Sequence, residues 1–183
     1  MKPAATSVFF TLFDTAIGPC GMAWGDAGIR GVQLPQLDAQ QTHHTMRQRF
    51  TGAHEAAPPP DVQTAIDGVA AMLRGEAHDL GALVLDMRDV PAFHQRVYAV
   101  TRSIAPGQTL TYGEVATRLG ETGAARAVGQ ALGRNPFAPV VPCHRVLAAG
   151  DKPGGFSASG GVRTKLRLLL IEGAMRGTPG LFD

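Results

Sequence analysis

Residues 111–133 of the chain read TYGEVATRLGETGAARAVGQALG, and this stretch sets the architecture of the second half of the molecule. Thr111 is a suitable N-cap for a first helix whose apolar residues face inward. The Gly-containing residues 120–123 make a turn, and residues 124–132 form a second helix. The pattern predicts a helix-turn-helix, which many helical hairpins without DNA-binding activity also share.

The second of these helices is unusual in its composition. A helix that reads sequence in the major groove needs several Asn, Gln, Arg or Lys side chains that reach base edges. This helix is rich in Ala and Gly and offers only Arg126 and Gln130. Small side chains let a backbone approach a groove closely, with Arg126 as the one long protruding side chain. Alternatively, they serve tight helix packing, and Arg126 is a solvated or ion-paired charge.

Further helices are expected on either side of this pair. Pro91 suits a first helical turn, and it is followed by an apolar stripe formed by Phe93, Val97, Val100 and Ile104. Residues 165–172 read as a C-terminal helix ending at Glu172. A negative charge near a helix C-terminus is slightly unfavourable, which favours a buried or functional role over simple solvation. Lys165 lies on a helix face, where a cation is usually exposed.

The first half of the chain predicts β structure. Short apolar runs separated by Gly, Pro and Asp turns indicate an antiparallel meander over residues 8–13, 21–24 and 29–34. Helices are expected at residues 39–50 and 62–73, an exposed Pro-rich loop at 52–61, and a further strand at 83–85 that could complete the sheet. The chain is therefore an α/β protein of the α+β type, with a β-rich domain over residues 1–88 and a mostly helical domain over residues 89–183.

A candidate nucleophile lies in residues 141–145, which read VPCHR. A lone Cys is more often a small buried hydrophobe. Here His144 and Arg145 are expected to stabilise a thiolate at Cys143, and a fall of about two units from a pKa of about 8.5 would make most of the thiol reactive at neutral pH. Cys20 has no acid or base beside it and reads as structural.

Charge and composition narrow the class of protein. Residues 1–90 carry six Lys or Arg against ten Asp or Glu (−4), and residues 91–183 carry eleven against five (+6), so the second half is the anion-binding half. No Cys or His pair has metal-ligand spacing, so no metal or cofactor is expected. The chain lacks a long apolar segment, which predicts a cytoplasmic protein with no membrane partner.

Several motifs together resemble one known family, the O6-alkylguanine-DNA alkyltransferases. In order along the chain, they are Tyr112-Gly113-Glu114, Ala125-Arg126-Ala127-Val128-Gly129, Asn135-Pro136, Pro142-Cys143-His144-Arg145-Val146, Gly155-Phe156-Ser157 and Glu172-Gly173. The resemblance covers residues 91–174, and the β-rich first half is compatible with the family's ribonuclease-H-like first domain. It implies a monomer that acts on double-stranded DNA containing O6-alkylguanine and moves the alkyl group to Cys143 in a single turnover.

The resemblance also implies roles for individual residues. His144 takes the thiol proton through a water, while Glu172 orients the His144 imidazole. Tyr112 donates a proton toward the base, and Ser157 lies near the leaving oxygen. Asn135 ties the DNA-binding helix to the active-site segment. Arg126 enters the duplex where the base was flipped out, from a helix in the minor groove. The remaining implied contacts are with the substrate, at Val146, Gly155, Phe156 and Leu132, and with DNA, at Thr111, Ala124, Ala125, Gly129 and Gln130.

Lys165 also matches a lysine that recurs in the family. The loop over residues 148–161 is about two residues longer than in many relatives, and Phe156 stands where Tyr is common. Three alternatives remain open from the sequence. The first is a lesion-binding relative without transfer activity, which Cys143 disfavours. The second is a helix-turn-helix regulator, and the third is a cysteine hydrolase that uses Cys143 and His144 with multiple turnovers.

Overall fold

The fold is taken from a computed structural model, which describes residues 7–175. The chain forms two compact units. The first contains the described residues up to Arg74, together with His78–Asp89 and Pro136–Val140. The second contains Gly75–Ala77, Val90–Asn135 and the described residues from Val141 onward. Among residues 7–175, no helix combines the length and the apolar character needed to cross a membrane.

A four-stranded sheet forms the centre of the first unit. Its strands are β1 (Phe9–Thr15), β2 (Gly18–Gly25), β3 (Gly28–Gln33) and β4 (His54–Glu55), in the order β3-β2-β1-β4. The pairs β1/β2 and β2/β3 are antiparallel, which confirms the predicted meander, and β4 runs parallel to β1. Gly28 starts β3 with φ +118°, where a Cβ would lie 2.5 Å from the Val84 carbonyl oxygen, so only glycine fits there.

The prediction for the fourth strand was wrong. Residues 83–85 do not form a strand: Leu85 makes one isolated parallel bridge to Ile29, and Val84 is 68% exposed, so this apolar run lacks the two-sided burial of a sheet interior. The fourth strand lies instead inside the predicted loop at residues 52–61. It is two exposed residues long and has no apolar pattern that the sequence could reveal.

Two helices cover the sheet of the first unit. Helix α1 (Ala39–Arg49) begins at the predicted place, where the Asp38 carboxylate accepts a 2.7 Å hydrogen bond from the Gln41 amide. Helix α2 (Pro60–Leu73) starts with proline in its first turn. Met46 of α1 packs on Phe10 and Ala23 of the sheet, and all three are fully buried. The apolar periodicity of α2 likewise buries Val62, Ile66, Val69 and Leu73.

The second unit is mostly helical. Along the chain it contains α3 (Ala92–Arg102), β5 (Leu110–Thr111), α4 (Tyr112–Arg118), α5 (Ala125–Gly133), a 3-10 turn (Cys143–Arg145), β6 (Val146–Leu147), a second 3-10 turn (Ala149–Asp151) and α6 (Val162–Ile171). Strands β5 and β6 pair in parallel, with Leu110 opposite Val146. Of the predicted apolar stripe, Val97 of α3 and Ile104, just beyond the end of this helix, are buried. This unit therefore places Tyr112 directly after β5, and the Cys143 turn directly before β6.

Two contacts fix the helices that precede the Cys143 turn. Thr111 caps α4 as predicted, and it does so in a capping box: its hydroxyl accepts from the Glu114 amide at 3.1 Å, and its own amide donates to the Glu114 carboxylate at 2.6 Å. The buried Tyr98 hydroxyl of α3 donates to the Ala131 carbonyl of α5 at 2.8 Å. Both ends of the α4–α5 pair are thereby tied to neighbouring elements of the same unit.

Candidate functional site

Cys143 starts the 3-10 turn that follows Pro142, and its side chain is only 6% exposed. The Val141 carbonyl before it accepts two hydrogen bonds of 2.8 Å, one from the Cys143 amide and one from the Asn135 side chain. Asn135 thus joins the end of α5 to the segment that carries the thiol, as the sequence led us to expect. Its side chain also forms a hydrogen bond that favours the Cys143 thiolate.

The expectation of an acidified thiol was wrong. Burial raises the pKa of Cys143, and the opposing effects of Asn135 and the Lys165 charge do not overcome it. Arg145, expected to stabilise the thiolate, directs its guanidinium to Glu172 instead, and His144 is held neutral. The thiol is therefore protonated at rest and must lose its proton during a reaction.

His144 and Glu172 are brought together, although 28 positions separate them in the chain. His144 Nε2 lies 2.9 Å from Glu172 Oε1, and the two side chains are 0% and 3% exposed. Burial would raise the pKa of Glu172, but hydrogen bonds from His144 and Arg145 lower it to about 2. Burial lowers the pKa of His144 despite Glu172. The imidazole is therefore neutral, and because its Nε2 faces a carboxylate at 2.9 Å, its proton is assigned to Nε2, which leaves Nδ1 as the basic nitrogen.

Arg145 completes a buried triad with these two residues. Its Nε and Nη2 donate to the two Glu172 oxygens at 2.9 and 2.6 Å, and its Nη1 donates to the Ile104 carbonyl at 2.5 Å. Such a bidentate pair fixes the carboxylate plane as well as its charge. Glu172 is the C-cap residue of α6, and because only 3% of its side chain is exposed, the solvated alternative for this residue does not hold. Among residues 7–175, neither ring nitrogen of His144 has a partner with full hydrogen-bond geometry, and the short contact to a carboxylate is made by Nε2.

Lys165 is fully buried, so the usual exposure of a cation on a helix face does not hold for it. Its Nζ donates to the Val146 carbonyl at 2.6 Å, the Gly155 carbonyl at 3.2 Å and the Tyr112 hydroxyl at 3.4 Å. Burial lowers the pKa of this lysine to about 8, against the opposing effect of Cys143. The spacing of Lys165 to Leu168 and Leu169, at i+3 and i+4, could have revealed that it shares the buried face of α6.

A cavity of about 590 Å³ opens beside Cys143. It is lined by Tyr112, Ala125, Arg126, Gly129, Gln130, Leu132, Gly133, Cys143, Gly155, Phe156 and Ser157. Most of the predicted substrate and DNA contacts are therefore gathered around the thiol. Gly133 is the one lining residue that the sequence did not single out.

The other predicted site residues lie outside that lining. Val146 is buried, and its carbonyl is held by Lys165. Thr111 is engaged in the capping box, and Ala124 is the N-cap residue of α5. His144 and Glu172 are buried and do not line the cavity.

Tyr112 forms one wall of the cavity and is closely framed by glycines. Gly154 has φ +69°, and a Cβ there would lie 2.9 Å from the Tyr112 hydroxyl oxygen. A Cβ at Gly129 would lie 3.8 Å from the Tyr112 ring. Burial raises the pKa of Tyr112, with a further contribution from Cys143. The phenol therefore keeps its proton at neutral pH and is a hydrogen-bond donor.

Arg126 is exposed in the first turn of α5, at the rim of the cavity. Within residues 7–175, no carboxylate forms an ion pair with it, so the ion-paired alternative for Arg126 does not hold there. Over the same residues, no group of three or more His, Cys, Asp or Glu is arranged to hold a metal ion. Cys20 is a buried free thiol in the first unit, and burial raises its pKa to about 12.

Comparisons with known proteins agree with this geometry. Residues 92–174 match the family model described as 6-O-methylguanine DNA methyltransferase, DNA binding domain. Over 153 residues the chain is 37% identical to the methylated-DNA–protein-cysteine methyltransferase of Methanothermobacter thermautotrophicus, covering 84% of this chain and 78% of that relative. The Mycobacterium tuberculosis OGT structure in complex with DNA superposes with a TM-score of 0.74 at 33% identity, covering 96% and 99% of the two chains.

A more distant structure shares the same architecture. The O6-methylguanine-DNA methyltransferase from Pyrococcus kodakaraensis has a TM-score of 0.68 at 25% identity, and the match covers 91% of this chain and 99% of that one.

Proposed function

The chain belongs to the family of methylated-DNA–protein-cysteine methyltransferases, and on that premise we propose that it repairs O6-alkylguanine by moving the alkyl group to Cys143. The observation that carries the proposal is a thiol that lines a substrate-sized cavity and is followed in the chain by a buried His144–Glu172 pair. Neither a regulator nor a lesion binder needs that combination.

The proton of the thiol leaves through His144. A water passes it from Cys143 Sγ to His144 Nδ1, and the resulting imidazolium is stabilised by Glu172, which accepts from Nε2. The ionised state of Glu172 supports this direction of transfer, since its pKa of about 2 keeps the carboxylate available at all physiological pH values. The buried, neutral thiol thereby becomes a thiolate when its proton passes to His144.

The thiolate then attacks the alkyl carbon in line, forming a carbon–sulfur bond as the bond to the guanine oxygen breaks. Negative charge develops on the base, and the protonated Tyr112 donates a hydrogen bond toward it. Ser157, in the cavity lining, serves the leaving oxygen. The nearby Lys165 cation supports both the thiolate and the Tyr112 hydroxyl.

DNA is held by α4 and α5 acting as a helix-turn-helix, with α5 in the minor groove. The contacts are made by Thr111, Ala124, Ala125, Gly129 and Gln130. Extruding a base costs a few kcal/mol. Arg126 offsets that cost by filling the space that the base leaves. Its exposure and lack of an ion-pair partner among residues 7–175 support this role.

We also propose a domain organisation, an oligomeric state and a location for the protein. A ribonuclease-H-like domain over residues 1–88 precedes a DNA-binding and active-site domain over residues 89–183, and the protein acts as a monomer in the cytoplasm. The mostly antiparallel sheet with helices α1 and α2 supports the first assignment. Two free cysteines are compatible with a reducing compartment.

A thioether is not hydrolysed in water, so each molecule repairs one lesion. Intact-mass measurement after incubation with duplex DNA carrying one O6-methylguanine tests the proposal. We expect one methyl adduct per molecule, located on Cys143 by peptide mapping and absent from Cys143→Ser. Tight binding of the lesion without an adduct would identify a non-catalytic lesion binder, and repeated turnover of an ester would identify a hydrolase.

A further inference from the structure

The chain between α5 and the Cys143 turn has an unexpected packing partner. Residues 136–140, here called the strap, belong to the first unit, whereas Asn135 and Val141 on either side of it belong to the second. Phe137 and Val140 of the strap are 0% and 3% exposed. The strap is thus a buried piece of chain that leads within three residues into the alkyl acceptor.

The edge of β3 holds the strap by the carbonyl of its first residue. The Val32 amide donates to the Pro136 carbonyl at 2.9 Å, and Arg49 Nη2 donates to the same oxygen at 3.2 Å. Arg49 Nη1 donates in turn to the Val32 carbonyl at 2.9 Å and to Gln33 Oε1 at 2.8 Å. The guanidinium at the end of α1 therefore joins the strap to strand β3 through three acceptors.

The close approach at this point depends on Gly31. A Cβ on Gly31 would lie 3.1 Å from both Arg49 Nη2 and the Pro136 carbonyl oxygen, and 2.5 Å from the Phe50 ring. The Arg49 guanidinium also lies 5.0 Å from the centre of the Phe50 ring. The absent side chain of Gly31, the Phe50 ring and the Val32 amide thus form a cradle. The Arg49 guanidinium and the Pro136 carbonyl meet in this cradle.

We propose that Arg49 is a positioning residue for alkyl transfer, acting through the Pro136 carbonyl to hold the strap and so the chain that leads to Cys143. This inference rests on the proposed function. In-line attack by sulfur requires its placement at the alkyl carbon, and a displacement of about 1 Å can cost about a hundredfold in rate. Arg49 acts through the backbone, so its loss lowers the transfer rate without weakening the affinity for DNA.

The test compares Arg49→Gln with Arg47→Gln: both arginines are exposed residues of the same helix, and Arg49 is the one that donates to the Pro136 carbonyl. Transfer rates are measured at saturating O6-methylguanine duplex, and lesion affinity is measured in the Cys143→Ser background. We expect Arg49→Gln to lower the saturating rate about tenfold with an unchanged Kd, Arg49→Lys to recover part of the loss, and Arg47→Gln to match the wild type. Faster hydrogen exchange at the Val32 amide should accompany the Arg49→Gln loss.

Gly31→Ala places a methyl group in the same cradle from strand β3. It should likewise lower the transfer rate with unchanged affinity for DNA. Equal saturating rates for Arg49→Gln and Arg47→Gln, or a loss confined to affinity, would overturn the inference. A wild-type protein that acquires no alkyl group would contradict the proposed function instead, so the two failures are distinguishable.

Discussion

Glu172 Oε1 lies 2.9 Å from His144 Nε2 in a part of the second unit that solvent does not reach. The same carboxylate accepts two hydrogen bonds from Arg145. One acidic group therefore sets the tautomer of the imidazole and neutralises a buried guanidinium. Changes at this position should affect both proton transfer and stability.

Glu172→Gln is expected to impair both properties. The amide removes the charge that stabilises the imidazolium, which should lower the transfer rate by about a hundredfold or more. It also leaves Arg145 buried without a counter-charge, which should cost about 3–5 kcal/mol of unfolding free energy. Chemical denaturation and transfer to free O6-benzylguanine measure the two effects.

The matched control is Glu121→Gln, which breaks the exposed pair between Glu121 and Arg96. Exposed pairs contribute about 0–1 kcal/mol, so this variant should be nearly as stable as the wild type. Equal stability of the two variants would show that the buried triad contributes no more than a surface pair.

Acid should destabilise the protein through the same carboxylate. The pKa of Glu172 is about 2 in the folded protein, compared with an ordinary value of 4.5. Between these values the unfolded chain binds the proton and the folded protein does not, so the stabilisation present above pH 4.5 is lost as the pH falls toward 2. Urea unfolding across this window should show a steeper loss for the wild type than for Glu172→Gln, and parallel curves would contradict the assignment.

Lys165→Met tests the buried cation. Methionine has similar length, but it removes the charge near Cys143 and the donor to the Tyr112 hydroxyl. Loss of a charge aimed at the reacting groups is expected to slow transfer to free O6-benzylguanine by about a hundredfold. The control is Lys152→Met, which replaces an exposed lysine in the loop over residues 148–161. This variant should transfer at the wild-type rate. A Lys165→Met rate equal to that of the control would remove this residue from the mechanism.

Arg126→Ala separates base extrusion from chemistry. The variant should lose most of its repair of duplex O6-methylguanine, because filling the vacated space offsets an extrusion cost of a few kcal/mol. Reaction with free O6-benzylguanine, which needs no extrusion, should stay near the wild-type rate. Gln130→Ala removes another exposed side chain of α5, and its rates on both substrates are measured for comparison with those of Arg126→Ala. Equal losses of Arg126→Ala on the two substrates would refute the extrusion role.

The sequence predicted those elements whose pattern is local. The meander, the helices and the Thr111 cap all follow from periodicity and turn residues within a few positions of each other. Strand β4 escaped prediction because two exposed residues pair only through tertiary contact with β1. The charge of Lys165 favours solvent, so its burial is indicated only by its spacing to Leu168 and Leu169 on the buried face of α6.

The site shows the same division between local and long-range information. The motif around Cys143 located the thiol, and family resemblance paired His144 with Glu172. The pKa of the thiol was predicted in the wrong direction, because proximity in sequence was taken for proximity in space. Arg145, two positions from Cys143, pairs with Glu172 instead. Desolvation of the thiol then outweighs the remaining interactions that lower its pKa.

The strap makes the first unit discontinuous in sequence, and this limits how the protein can be divided. A fragment cut after residue 88 would contain β3, Gly31 and Arg49, but it would lack the Pro136 carbonyl that two of their donors bind. The complementary fragment would carry the buried Phe137 and Val140 without the unit to which they belong. Split versions or domain exchanges with relatives should therefore transfer residues 136–140 together with the sheet, even though the junctions then fall beside the reactive cysteine.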